Sequence, residues 1–587
     1  GVENTIVGAL TGDALTDADY NVAIGVQALS TDTKGSKSTA IGNQTLYLQN
    51  FATATDSFNT AVGYQAGKSV TTGIQNTLIG GLAGDAITTG NNNVAVGKSS
   101  LSANTTGAGN NALGSSALLS NTTGATNTAL GHTSMNQNTT GSNNVAVGSG
   151  SLANNTTAAN NTAVGLSALF ANTTGTTNTA VGYAALDANT TAGSNTAVGS
   201  SALGANTTGA NNTAVGANSL LVSTTGLDNV AVGNLALTAN TTASYGTAVG
   251  KSALAANTTG ANNTGLGFKA LTANTTGQYN TAVGTNAGDA ITTGNSNTML
   301  GFNSGGATTT AGQNVAVGQS TLTTNTTGSF NTAIGAEALL SNTTAANNTA
   351  VGYNSLTANT TAANNTAVGF EALKANTTGA TNTAVGANAG DAITTGVANT
   401  LLGYLAGTYL TNLTTGGTNT LIGAFNKTNA ADSTFAIGLG YNLVCTSGYT
   451  TLGANTSDIR AAHGTATWAA VSDERYKKDI VDSTAGLSFI NALQPRTWKY
   501  KTLGELPETF SAYEEGSTEV FKNTQTNHGF IAQEIKAAID ADSSIADGFK
   551  LWDDREDGSQ EVAEAALIPV LVKAIQELTA RLETLEG

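Results

Sequence analysis

Residues 161–177 read NTAVGLSALFANTTGTT, and this seventeen-residue unit returns along most of the chain. Its first glycine, Gly165, belongs to a column that runs from Gly63 to Gly403 without a slip of phase. Gly8, Gly25 and Gly42 keep the same spacing ahead of a four-residue insertion, and Gly423 follows a three-residue one. The consensus is N-T-A-V-G-x-x-A-L-x-A-N-T-T-G-x-x, numbered here 1 to 17 from its first Asn. A polar linker has no reason to hold such a register, although the composition alone would suit disorder. The unit is too short for a helix pair. It fits a strand-turn coil, with Ala-Val and Ala-Leu as short strands, Gly turning the chain and N-T-T-G supplying a second turn. Stacked at the strand spacing, coils from Gly8 to Gly423 give a rod of roughly 115 Å. Pro495, Pro507 and Pro569 all lie outside the array, as a continuous hydrogen-bond ladder requires.

The expected fold class is therefore mostly β: a parallel β-roll or β-helix fibre of 17-residue coils over residues 1–425, with degenerate repeats over 426–471. Ala, Val and Leu are its expected core. Ordering one coil costs on the order of 20 kcal/mol, so bundling with further copies, most simply as a homotrimer, is expected. The array resembles the head repeats of trimeric autotransporter adhesins, which carry a comparable A-I/V-G step in the shorter unit of a left-handed parallel β-roll; the resemblance is to the style of coil, and it implies a parallel β-roll.

Composition removes several function classes. Of 587 residues only 10% are charged, and the net charge of -16 speaks against nucleic acid or an anionic membrane as partner. No apolar run is long enough to span a membrane, and no signal-peptide pattern is visible. The chain starts at Gly1 without Met, so a missing or trimmed N-terminal part is expected. One cysteine, Cys445, excludes an intrachain disulfide or a multi-cysteine zinc site. No metal or cofactor is expected. Asn-Thr-Thr formally reads as a glycosylation acceptor. Its fixed place in the unit favours turn formation, with Asn side chains bonded from rung to rung. The AGDAITTG variants carry Asp85, Asp289 and Asp391. Whole repeats separate them, whereas sugar hydrolysis needs paired carboxylates within about 10 Å.

At residue 472 the composition changes. Six of the seven residues from Asp473 to Asp479 are charged, and residues 472–587 hold 22 of the chain's 37 acids and 12 of its 21 bases. A small α/β domain is expected, with a helix near 483–493, strands near 497–500 and 529–531, and a helix from Ala532. In the last stretch Leu571, Ile575, Leu578, Leu582 and Leu585 repeat at 4-3-4-3 spacing. That reads as the seam of a coiled-coil helix over about 562–586, with an amphipathic helix packed on its own domain as the alternative.

Four motifs then stand in order: SDERYKKDI at 472–480, LQPRTWKYK at 493–501, HGFIAQEI at 528–535 and IPVLVKAIQEL in the closing helix. Together they resemble the intramolecular chaperone domain of endosialidase type, found at the C-terminus of phage tail spikes and fibres. The resemblance implies a domain that trimerises a β-structured fibre and then acts once, as a serine peptidase, on its own chain. It implies Ser472 as nucleophile, Val471–Ser472 as the scissile bond and Lys477 as base. Arg475 and Lys478 are close enough in sequence to lower a lysine pKa. His528 reads as structural, an orienting role being the alternative. The expected protein is a phage tail fibre, extracellular on the virion tail. Its expected partners are a host-surface glycan or protein receptor and other tail proteins. A cellular surface adhesin or filament, and a polysaccharide-degrading spike, are the alternatives.

Overall fold

Each coil contributes one strand of three residues, such as Thr179–Val181, and each strand pairs in parallel with its neighbours 17 residues away. The result is a parallel β-solenoid of about 26 turns. The structure, a computed structural model, describes residues 1–455, 457–465, 468–470, 472, 474–510, 512–543, 545, 549–554 and 558–586. The chain divides into two compact units, Gly1–Val471 and Ser472–Gly587.

Within a coil the strand alternates its faces, as a pleated strand must. Ala180 is fully buried while Thr179 and Val181 face outward. The core of this coil is Ala180, Ala185 and Leu186, joined by Asn178 and Asn189, all at 0% exposure. Two expectations change here. Val at position 4 is not core, because the residue next to a buried Ala on the same strand must point the other way. Ala-Leu forms no strand: Leu186 has φ 52° and sits in a turn.

Gly182 has φ +140°, and a Cβ there would lie 2.5 Å from the carbonyl oxygen of Gly199 one coil on. A side chain would break both conformation and stacking, which accounts for the glycine column. The ladder continues beyond the strands. Leu186 N–H donates to Ala202 O at 3.0 Å and Ser201 N–H to Tyr183 O at 2.9 Å, so backbone groups around the coil find partners in the adjacent ones. Two asparagine columns complete this. Asn178 is fully buried in the core. Its Nδ2 donates to Ala192 O at 2.9 Å, and its N–H is taken by Asn161 Oδ1 at 2.9 Å. Asn189 Nδ2 donates to Asn172 Oδ1 at 2.9 Å and to the same Ala192 O at 3.0 Å. The Asn-Thr-Thr asparagines are thus buried ladder members, sealed from a glycosylating enzyme in the folded coil.

The AGDAITTG coils exchange one packing for another. Position 9 changes from Leu to Gly and position 12 from Asn to Ile. A Cβ on Gly84 would lie 2.7 Å from Ile87 Cδ1 and 2.8 Å from Leu78 Cδ2. The large side chain has moved from one side of the core to the other. At its C-terminal end the solenoid turns into an antiparallel meander, Tyr449–Ala454 pairing with Ser457–Ala462 and that with Ala469–Ala470.

The second unit holds helices α1 (Leu487–Ala492), α2 (Ala532–Ala541) and α3 (Leu567–Glu586). Strand Arg496–Trp498 pairs antiparallel with Asn527–Gly529, and Trp552–Asp554 with Gln560–Val562. The last pairing is why α3 begins at Leu567 and not near 562. The core gathers Phe489, Leu493, Ile535, Leu551, Leu567 and Val570.

Candidate functional site

Ser472 opens the second unit, and a single 3-10 turn, Glu474–Tyr476, follows it. Lys477 N–H closes the turn on Glu474 O at 2.9 Å. That reversal carries the lysine back over the serine, and Lys477 Nζ donates to Ser472 Oγ at 2.7 Å. A spacing of five residues does not face two side chains in an extended chain; the 3-10 turn supplies the fold-back. Ser472, Arg475, Lys477 and Lys478 are all exposed in the single chain. Val471, and with it the expected scissile bond, lies outside the described residues, as does Asp473. His528 is exposed on its strand opposite Thr497.

The pair has the parts of a Ser-Lys dyad. A hydroxyl becomes a useful nucleophile when a neighbouring base takes its proton. A lysine serves as that base where low dielectric or nearby cations disfavour its charged form.

Elsewhere in the second unit, two of the sequence motifs touch one another. Arg496, in LQPRTWKYK, makes a fork to Glu534, in HGFIAQEI: Nε to Oε2 at 3.0 Å and Nη2 to Oε1 at 2.8 Å. The guanidinium holds the Glu534 carboxyl below the usual carboxylate range. Glu577 of α3 accepts Leu487 N–H at 3.0 Å, placing a carboxylate at the N-terminus of α1 where the helix dipole favours it. Neither contact was read from the sequence. The conjunction of Arg and Glu inside two motifs was the available signal for the first; nothing local marks the second.

Helix α3 presents two apolar faces. Leu567, Val570 and Ala574 are buried against the domain core. Leu571, Ile575, Leu578, Leu582 and Leu585 are exposed by 42% to 84%, so in the single chain the seam residues are open to solvent. Among the acids of the array, Asp85, Asp289 and Asp391 all occupy position 10 of widely separated coils. Burial pushes the carboxyls of Asp289 and Asp391 up.

The family model described as chaperone of endosialidase matches residues 472–542. No curated protein and no solved structure matches the chain.

Proposed function

We propose that the chain is a phage tail fibre for attachment to a host surface, assembled by a C-terminal chaperone that trimerises it and then cuts itself off. The observation that carries this reading is the junction: a β-solenoid body ends where the chaperone-of-endosialidase match begins, and the first residue of that match meets Lys477 Nζ at 2.7 Å. In the cutting step Ser472 Oγ attacks the Val471 carbonyl carbon while the Lys477 amine takes the hydroxyl proton. The acyl group moves from the Ser472 nitrogen to its oxygen, and the nitrogen leaves protonated. Water then hydrolyses the ester, giving a Val471 carboxylate and a free Ser472 amine. Because both groups face solvent in the single chain, assembly that excludes water is the step that arms the dyad.

The exposed seam of α3 is the trimerisation element. The body meets a glycan or protein receptor and other tail proteins, and the protein resides on the virion tail. N-terminal sequencing of the small product tests the cut: it starts at Ser472, and Ser472→Ala abolishes it. Exchanging the body between fibres of different host range tests the attachment role, and the range should follow the body.

A further inference from the structure

In every described three-residue strand from Thr5–Val7 to Thr420–Ile422 the third residue is Val, Ile or Leu, and in none of them is it buried. Leu130 is 45% exposed, Leu266 44%, Leu300 43% and Leu402 44%. The strand register places these side chains one above another, Leu266 beside Val283 and Val283 beside Leu300. The first residue of each of these three-residue strands, on the same outward face, is Thr, Val or Asn and never charged. The solenoid thus carries an unbroken aliphatic stripe outside its own core. An array needs an extended strand at this position, but solvent does not ask for an aliphatic one: Thr or Lys would serve.

We infer that this stripe is the self-association surface of the body, taken up by second copies of this chain set parallel and in the same rung register. The inference rests on the trimer proposed above and extends it from α3 to the solenoid. An exposed third of an aliphatic side chain is on the order of 50 Å². Over about 26 turns the stripe offers on the order of 1,000 Å² per chain. That exceeds the ~800 Å² each partner gives in a stable interface, and monomers rarely leave so much contiguous apolar surface in water. A partner must repeat at the solenoid's own rise to cover every rung, and another copy does so by construction. The consequence is functional: once the chaperone has been cut away, the body keeps its assembly through its own face.

Cysteine cross-linking of the full chain, held intact by Ser472→Ala, tests this. Native Cys445 is fully buried. Leu266→Cys probes the stripe, Thr276→Cys probes an exposed turn of the same coil, and Leu578→Cys probes the α3 seam. Under mild oxidation Leu266→Cys gives interchain disulfides at least about tenfold above Thr276→Cys, as held proximity demands. Chains carrying Leu266→Cys and differently tagged Leu300→Cys, co-expressed, cross-link like with like. Cross-linking at Leu578 with none above the Thr276 level at Leu266 overturns the inference and leaves the chaperone trimer standing. Mixed Leu266–Leu300 products overturn the common register. Cross-linking at neither site removes both readings.

Discussion

Position 9 shows how strictly single residues answer to backbone. Leu169, Leu186 and Leu203 have φ near +52° and are fully buried. Across the array this position is filled by Leu, Met or Gly. β-branched side chains are strained in the left-handed region, which disfavours Val and Ile at this buried position although volume would allow them. Leu186→Ile therefore costs about 1–2 kcal/mol and speeds amide exchange in its own and adjacent coils. Val181→Ile, on the extended strand, leaves exchange unchanged. Cys445 gives a second test. Burial pushes its thiol up to about 12, against about 8.5 in an unfolded chain. A raised folded pKa means that the stability contribution is present below pH ~8.5 and drains away as pH rises towards 12. The urea midpoint of the region around Cys445 should fall over that window, and a thiol reagent at pH 8 should label Cys445 after unfolding only.

At the scale of the element, the coil was legible in outline. Period, glycine column and asparagine stacking follow from residue types whose backbone demands are specific. The Ala-Leu turn was not legible, because an apolar pair between polar residues reads the same whether its Leu is extended or left-handed. The direction of Val was missed for a related reason: a three-residue strand has too little alternation to reveal which face it buries. The AGDAITTG coils sharpen the point, since they looked chemical and are a packing exchange. A Cβ on Gly390 would lie 2.7 Å from Leu401 Cδ1 and 3.3 Å from Ile393 Cδ1. Gly390→Leu thus overpacks the coil by about 1–3 kcal/mol. Adding Ile393→Asn and Leu401→Ala restores the common pattern and should recover most of that loss in a denaturant melt; failure to recover would mean that the three positions do not share one cavity. In the second unit, the Ser472–Lys477 pairing was legible through motif order. The Glu577 cap was not, since it joins residues 90 apart in the chain.

At the scale of the molecule, near-identical rungs create a register problem. Chains offset by one coil pair almost as well as chains in register, so stripe contacts alone choose poorly among offsets. On the proposed function, a chaperone that associates first through a unique seam would set the offset before the body zips. Cutting afterwards would remove the route back and leave the fibre kinetically trapped. This order has a measurable signature. Leu578→Lys with Leu582→Lys puts charge into the seam, and burying unpaired charge costs several kcal/mol. The double variant should fail to form a uniform in-register trimer at micromolar concentration, leaving single chains or chains joined at mixed offsets, as light scattering reads. If assembly arms the dyad, the same variant should also fail to cut, although Ser472 and Lys477 are untouched. In the unaltered chain, fragment release should lag behind assembly, with a lag that shortens as concentration rises. The later phase should be first order, as an intramolecular step requires. Lys477→Ala separates the two functions from the other side: the chain trimerises and stays whole. A Leu578→Lys/Leu582→Lys monomer that still released a fragment beginning at Ser472 would detach cutting from assembly and require the single chain to arm its own dyad.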